Sequence, residues 1–324
     1  MDGPEPRPAS RLLIVLAFIT VSIAWGTTYG GIKLAVETIP PFTMACIRFS
    51  IAGLVLMGVL RLVGVEFPSR RDWVRMAAAG FLLLSLGNAL LGWAEQYVDS
   101  AFAALMVNTG PFLFVIFSAL AGSRVPPLAW VGMTVGFCGV LLLVSPELRN
   151  LLVGQAEPVH ERFWWAFVVL IFSPMCWAAG SFVASRYPAK CHNLMSAAGQ
   201  SAVAGGMAGV LAFLVGETGG DWVPSRTSLL AIVYLIVVGS WLGYVSYIYC
   251  LTHLPAHRVA TTGYINNVTA VTLGVLILGE RLTPIMFAGG AVILSGVYLV
   301  NVARQKATPP PPEPAGGNKD LPER

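Results

Sequence analysis

The chain has 324 residues, of which 56% are hydrophobic and only 11% are charged, and its mean hydropathy is +0.72. A soluble domain carries about 25% charged residues, so this composition excludes a soluble globular protein and indicates an integral membrane protein. The small basic excess, 20 Lys and Arg against 16 Asp and Glu, does not indicate a nucleic-acid-binding surface.

Ten segments are long and apolar enough to cross a bilayer, which takes about 20 helical residues. In chain order they are Leu12–Lys33, Phe42–Leu60, Trp73–Trp93, Ala101–Ala121, Leu128–Val144, Phe163–Ala184, Leu194–Val215, Leu229–Leu251, Val259–Leu278 and Ile285–Ala303. The first segment lacks the small-residue cleavage site of a signal peptide. The Pro-rich end, "KATPPPPEPAGGNKDLPER", predicts a disordered tail. The five scattered cysteines have no metal-ligand spacing, and no cofactor is expected.

The basic residues outside the spans predict the orientation of the chain. The side that holds both termini carries 14 of the Lys and Arg residues, and the opposite side carries 5. Because cytoplasmic loops are enriched in Lys and Arg, we expect both termini to be cytoplasmic and the protein to be a multi-pass protein of the inner (plasma) membrane.

The second half of the chain repeats the first. Trp25 matches Trp177 at an offset of 152 residues, and Gly87 matches Gly243 at 156. Between Leu120 and Val144, 8 of 25 positions are identical to positions 157 residues later. Coincidence among Gly- and Leu-rich helices is the alternative, but the gap-free block also contains an Arg and a Pro. Each half has five helices, an odd number, so the second half enters the membrane from the opposite side, as in transporters with inverted repeats.

The predicted fold is therefore an all-α integral membrane protein of ten transmembrane helices in two inverted five-helix repeats. We expect a cytoplasmic N-terminus over residues 1–11, repeats over residues 12–145 and 163–303, an inter-repeat loop over residues 146–162, and a disordered cytoplasmic tail over residues 304–324.

Several motifs then point to a family. The segments "AWGTTYGGIKLA", "IRFSIAGLVL" and "LGVLILGERLTPIMFAGGAVILSGVYLV" resemble, in this order, the EamA family of the drug/metabolite transporter superfamily. The resemblance covers about residues 12 to 303 and implies a ten-helix inner-membrane carrier, often an exporter of amino acids or related metabolites. The first half departs from the pattern, with Ser123 in "GSR" where the second half has Glu280 in "GER".

Polar and aromatic side chains inside the spans are the candidates for a substrate site, because polar groups avoid lipid and face other helices or a wet cavity. For each polar one, a hydrogen bond between helices is the alternative role. The repeat pairs Arg48 with Gln200 and Asn88 with Tyr244. The candidate substrate-binding residues are Trp25, Thr28, Arg48, Asn88, Asn108, Trp177, Gln200, Tyr244 and Asn267.

Arg48 is the one arginine predicted inside a span. It lies about six residues from the end of its helix, roughly 9 Å at 1.5 Å per residue, which permits snorkelling to the interface. It is therefore either a structural residue, snorkelled or bonded to helix-end carbonyls, or a cation that receives a substrate carboxylate.

No Asp or Glu lies well inside any predicted span, and Glu95, just past Trp93, is the nearest. Proton-coupled carriers commonly use an intramembrane carboxylate. Transport is therefore expected not to depend strictly on a proton gradient. Pro111 and Pro174 fall inside predicted spans, where each removes a hydrogen bond and is a candidate kink.

The favoured function is a secondary transporter that exports amino acids or similar small metabolites by alternating access. The alternatives are an intramembrane enzyme, for which Ser181, Ser240, His253 and His257 are nucleophile and base candidates, and a structural or receptor-like membrane protein. An enzyme is disfavoured because both histidines are predicted in a short loop far from a buried serine. The expected partners are a small-molecule substrate and the lipid bilayer, without nucleic acid.

Overall fold

The computed structural model describes residues 10–120, 122, 124–153, 158–254, 256–259 and 261–307. The longer helices within these ranges are α1 (Arg11–Val36), α2 (Pro41–Leu62), α3 (Arg70–Glu95), α4 (Ser100–Val107), α5 (Gly110–Leu120), α6 (Pro127–Leu152), α7 (Pro158–Arg186), α8 (Asn193–Leu214), α9 (Arg226–His253), α10 (Thr262–Leu276) and α11 (Pro284–Ala307). A 3-10 turn (Glu217–Gly219) and a short helix (Ala256–Val259) lie in connections. The predicted segment 1–11, most of the predicted tail and Ser123 lie outside the described residues.

The all-helical membrane fold is confirmed. Among the described residues, nine helical stretches are long and apolar enough to cross a membrane. The fourth of them, Ser100–Phe117, contains all of α4, a turn at Asn108 and Thr109, and most of α5. The ninth predicted span, Val259–Leu278, is represented by the short helix Ala256–Val259 and by α10, which has 15 residues and is shorter than the roughly 20 that a span needs.

Of the two prolines predicted to kink spanning helices, one lies elsewhere in its helix than expected. Pro111 is the second residue of α5, so it does not kink a continuous helix, because the first turn of a helix has no amide partner to lose. The chain is already broken before it, at Asn108 and Thr109. Pro174 lies inside α7, as predicted.

The third spanning helix of each half, α3 in the first half and α9 in the second, contains a π-helical segment at an equivalent position. These segments are Phe81–Leu86 in α3 and Leu235–Leu242 in α9. A π-helical turn changes which carbonyl each amide reaches and frequently occurs at functional sites. Each segment is followed by a repeat-related glycine, Gly87 or Gly243.

The close contacts between α2 and α8 show that the halves are inverted. Gly209 packs on Cys46, Gly205 on Ser50, and Gly53 on Ala202. Residue numbers rise along α2 as they fall along α8, so these equivalent helices are antiparallel. Gly53 and Gly205 are equivalent at the offset of 152, as are Ser50 and Ala202, so the two contacts are copies of each other.

The pair formed by α6 and α11 repeats this geometry. Gly132 packs on the backbone of Gly296, and Gly139 packs on the backbone of Gly289. The offset of 157 makes these two contacts equivalent, and the pair is again antiparallel. Glycine permits this approach because a Cβ at Gly132 would lie 2.8 Å from the Gly296 carbonyl oxygen.

We call the two ends of the helical bundle the Glu95 end, where α1 and α3 finish and α2 and α4 begin, and the Ser69 end, where α2 finishes and α3 begins. Large apolar side chains such as Leu54, Phe213 and Phe287 are exposed on the outside, at 62%, 71% and 68%. Such a surface suits contact with lipid rather than water.

Candidate functional site

A cavity of about 180 Å³ lies between the two halves, roughly midway along the helices. Most of its wall comes from α1, α2, α3 and α9, with single residues from α4, α7 and α10. The lining residues are Trp25, Thr28, Tyr29, Ile32, Arg48, Phe49, Leu84, Asn88, Leu91, Val107, Trp177, Gly239, Ser240, Tyr244 and Asn266. Small-molecule sites in transporters with inverted repeats lie in such a position.

Most of the residues selected from the sequence meet at this cavity. The structure brings six of the nine together on its wall: Trp25, Thr28, Arg48, Asn88, Trp177 and Tyr244. Asn108 and Asn267 do not line it, because the Asn108 amide donates to Oδ1 of Asn267 and the two residues bond each other. Gln200 does not line it either, and its amide donates to Ser196 Oγ at 3.2 Å.

Arg48 is buried, with a relative exposure of 5%. Its Nε donates to Ser240 Oγ at 3.2 Å and its Nη1 to Asn88 Oδ1 at 3.4 Å, while its Cζ lies 4.7 Å from the centre of the Phe49 ring. It neither snorkels nor bonds to helix-end carbonyls. Within the described part of the chain, no carboxylate forms an ion pair with it. The guanidinium therefore presents an uncompensated positive charge at the wall of the cavity.

The π-helical segment of α9 shapes the surroundings of this arginine. A Cβ placed on Gly239 would lie 3.0 Å from Arg48 Nη2 and 2.8 Å from Thr28 Cγ2, so only glycine lets α9 approach here. The carbonyl of Gly239 accepts a hydrogen bond of 3.2 Å from Trp25 Nε1. The local change of helix type thus places a backbone carbonyl, an arginine and an indole around one point.

Aromatic rings form another part of the wall. The Trp25 ring lies 5.9 Å from the Tyr244 ring in an edge-on arrangement and 4.9 Å from the Tyr247 ring. Rings at these distances stabilise one another and restrict the side chains to few rotamers. The wall is consequently rigid and mainly apolar, with a small number of polar groups.

Several lining residues lay outside the selected set. Tyr29 and Asn266 each stand beside a selected residue in the chain, and Ser240 lies on the π-helical segment. One residue along a helix turns the side chain by about 100°, so the sequence locates the helix turn but not the face. Phe49 and Gly239 carried no polar signal, and only the packing reveals them.

Glu95 lies at a helix end, as the sequence indicates, but the premise that no buried carboxylate is available is wrong. Glu95 is the last residue of α3 and is 1% exposed, and the part of α3 that it ends packs on α7, α2, α1 and α4. Both of its carboxyl oxygens are buried without a hydrogen-bond partner. The premise for transport independent of a proton gradient therefore does not hold. Among the described residues, no three His, Cys, Asp or Glu side chains converge as metal ligands would.

Comparisons with known proteins agree with this architecture. The sequence profile of the EamA-like transporter family matches residues 12–145 and 164–302. The uncharacterized inner membrane transporter YedA of Escherichia coli (strain K12) is 32% identical over 289 residues, which cover 89% of this chain and 90% of that protein. A probable terminal-alkyne amino-acid exporter of Streptantibioticus cattleyicolor is 23% identical over 288 residues, 89% of this chain and 93% of that protein. One crystal structure, 20% identical, covers 90% of this chain and 98% of its own with a TM-score of 0.60, which indicates the same fold.

Proposed function

This chain belongs to the EamA-like transporter family of multi-pass inner membrane proteins, and we propose that it exports small metabolites that carry a carboxylate, with amino acids first among them. The name of the Streptantibioticus relative, an amino-acid exporter, supports this substrate class. The cavity between the halves is the proposed binding site.

One observation carries the proposal: Arg48 is a buried cation whose hydrogen bonds at the cavity go to neutral side chains, Ser240 and Asn88. A buried charge without a counter-ion is costly, and a substrate carboxylate supplies that counter-ion. The planar guanidinium binds a carboxylate through two parallel hydrogen bonds. Arg48 is thus the residue expected to select acids over neutral molecules.

The rest of the cavity limits what accompanies the carboxylate. Its volume of about 180 Å³ is below the roughly 300–1,000 Å³ of pockets for drug-sized ligands. The rings of Trp25 and Tyr244 provide an apolar part of the wall beside the polar groups. A short amphipathic molecule fits this combination, whereas a polyanion or a large drug does not.

Alternating access is the proposed mechanism. The glycine contacts of α2 with α8 and of α6 with α11 join the two halves, and in each pair the repeat relates one contact to the other. An exchange of the two halves' conformations therefore closes one end and opens the other. The 14-to-5 distribution of basic residues assigns the Ser69 end, with both termini, to the cytoplasm and the Glu95 end to the outer face.

The test is a substrate panel with the purified protein in liposomes. Amino acids and their amides are compared in pairs, and the transported molecule is identified by mass spectrometry. The expected result is saturable flux of unchanged amino acids and much slower flux of the amides, with none in protein-free liposomes. Equal flux of acid and amide contradicts the role of the carboxylate, and chemical conversion of the molecule supports the enzyme alternative instead.

A further inference from the structure

The Glu95 end of the bundle is closed by hydrogen bonds between the first and third helices. Lys33 of α1 extends its Nζ to two carbonyl oxygens at the end of α3, those of Glu95, at 3.2 Å, and of Val98. Next to it, Gln96 Nε2 donates to the Val36 carbonyl at 3.2 Å. A lysine ammonium stabilises the carbonyl end of a helix, so these bonds hold the ends of α1 and α3 together.

The side chain of Glu95 is buried between these helix ends, but it makes none of the hydrogen bonds that hold them together. Only its backbone carbonyl bonds to Lys33, whereas both carboxyl oxygens are buried without a partner and form no ion pair with the ammonium. An ionised carboxylate that is removed from water without hydrogen bonds is strongly disfavoured. The closed arrangement therefore accommodates Glu95 as the neutral acid.

The charged and titratable groups around Glu95 come from every element packed on it. Lys33 and Glu280 act on it electrostatically, and it acts in turn on Tyr29 of the cavity wall. Burial and the nearby Glu280 raise the pKa of Asp99, in the turn before α4, above its usual range, while Lys33 opposes them. From α7, Arg162 lies over the Tyr97 ring at 5.7 Å. Burial is the main cost of a charged Glu95, and the nearby Glu280 adds to that cost while Lys33 offsets part of it.

The equivalent positions at the other end of the bundle, which the structure describes, do not carry such an arrangement. The repeat places Leu251 at the position of Glu95 and Ser185 at that of Lys33. Leu251 is 38% exposed, and the Ser185 hydroxyl donates to a carbonyl of its own helix. The unpartnered buried acid and the neighbouring lysine are therefore not repeated at the equivalent positions of the second half, so the repeat itself does not require them.

We propose that Glu95 is a proton-binding site that controls the opening of the Glu95 end: the protonated acid favours the closed end, and loss of the proton favours the open one. The proton comes from, and returns to, water in the vestibule of about 480 Å³ at this end, which is lined by Val36, Glu37 and Gln96 among others. When α1 separates from α3, water reaches the carboxyl group, and the hydrated carboxylate no longer fits between the helices. Protonation from the vestibule allows the helices to close again.

The inference deepens the proposed function, because a gate matters only to a transporter, but its test needs no substrate. Val36 is 2% exposed beneath the vestibule. Val36→Cys on a cysteine-free background, in lipid nanodiscs, is labelled with a membrane-impermeant maleimide between about pH 5 and about pH 9, a range that spans carboxyl titration in proteins. Rates are divided by those of Asp221→Cys, an exposed position, which corrects for the chemistry of the thiol.

With Glu95 present, the corrected rate is expected to rise roughly tenfold with pH, the scale of a modest population shift. Glu95→Gln, which resembles the neutral acid, should label slowly at every pH. Glu37→Gln removes an exposed carboxylate at the same end and should retain the pH dependence. An unchanged pH dependence in Glu95→Gln, or a rate independent of pH in the parent, overturns the proposal.

A second variant keeps the test decisive if Glu95→Gln does not fold. Lys33→Gln removes the Lys33 ammonium bonds and leaves the Gln96–Val36 bond in place, so its labelling should be faster at all pH values while the rise with pH remains, because Glu95 is still present. Loss of the rise in Lys33→Gln contradicts the assignment to Glu95. If labelling depends on pH but no substrate is transported, the proposed function is rejected and the proton site stands. If substrate is transported but labelling does not depend on pH, the proton site is rejected and the proposed function stands.

Discussion

Trp25 lies directly against Gly243: a Cβ on the glycine would come within 2.6 Å of the indole Nε1. The repeat copies this contact, because Trp177 lies against Gly87, where a Cβ would be 2.7 Å from Nε1. Each first-helix tryptophan therefore packs on the third helix of the other half, directly after its π-helical segment. These two contacts join the halves around the cavity.

Gly243→Ala is expected to destabilise the protein, because the added methyl group overlaps the Trp25 ring and overpacking costs roughly 1–3 kcal/mol. Thermal unfolding in detergent measures the effect as a lower midpoint. Gly206→Ala is the matched control, since nothing lies within 4 Å of a Cβ there and alanine favours helix. Equal midpoints for Gly243→Ala and the parent would show that the Trp25 contact is loose.

Arg48→Gln is expected to weaken transport of amino acids about tenfold to a hundredfold, since a hydrogen bond to a charged group contributes roughly 1.5–3 kcal/mol. Transport of amino-acid amides should change much less, and the protein should remain monodisperse. Arg48→Lys, which keeps the charge without the planar fork, should retain part of the acid preference.

Arg61→Gln is the control for these variants, because Arg61 is exposed near the end of the same helix. It should leave the preference for acids unchanged. An equal loss of acid and amide transport in Arg48→Gln would show that Arg48 has a structural role instead of binding the carboxylate.

Glu280→Gln is expected to lower the stability of the fourth span. The Glu280 carboxylate accepts hydrogen bonds from the backbone amides of Ser100, at 2.7 Å, and Ala101, at 3.0 Å, at the start of α4. A negative charge at this end of a helix is favourable, and the loss should be roughly 1–2 kcal/mol on the scale of charged hydrogen bonds. Thermal unfolding checks it against Glu66→Gln, an exposed carboxylate, and a midpoint as high as that of this control counts against the role of the cap.

Single cysteines at Glu66 and Asp221 should label from opposite faces of the membrane, Glu66 from the cytoplasm only. Both positions are exposed and lie before the equivalent helices α3 and α9. They spare Ser69 and Ser225, whose hydroxyls accept hydrogen bonds from the first turns of these helices. If a membrane-impermeant reagent in intact cells reaches Glu66→Cys and not Asp221→Cys, the proposed orientation is reversed.

Much of the fold follows from the sequence alone. Hydropathy predicted ten spanning segments, and nine helical stretches among the described residues are long enough to span, because burial in lipid depends on the composition of each segment by itself. Matches such as Trp25 with Trp177 identified two halves, and the odd number of helices made them inverted. The energetic cost of a lipid-exposed arginine marked Arg48 as exceptional, but the sequence left open whether it snorkels, bonds to helix-end carbonyls or receives a carboxylate.

Which side chains contact one another at the candidate site depends on the tertiary structure. Arg48 bonds to Ser240, which is 192 residues away in the chain, and Asn108 bonds to Asn267 instead of lining the cavity. Which face of a helix points inward depends on the helices packed against it, and no local pattern encodes these partners. The sequence places Glu95 at a helix end, just past Trp93, and does not indicate that it is buried. It is buried because neighbouring helices pack on the end of α3, and this packing exists only when distant segments come together.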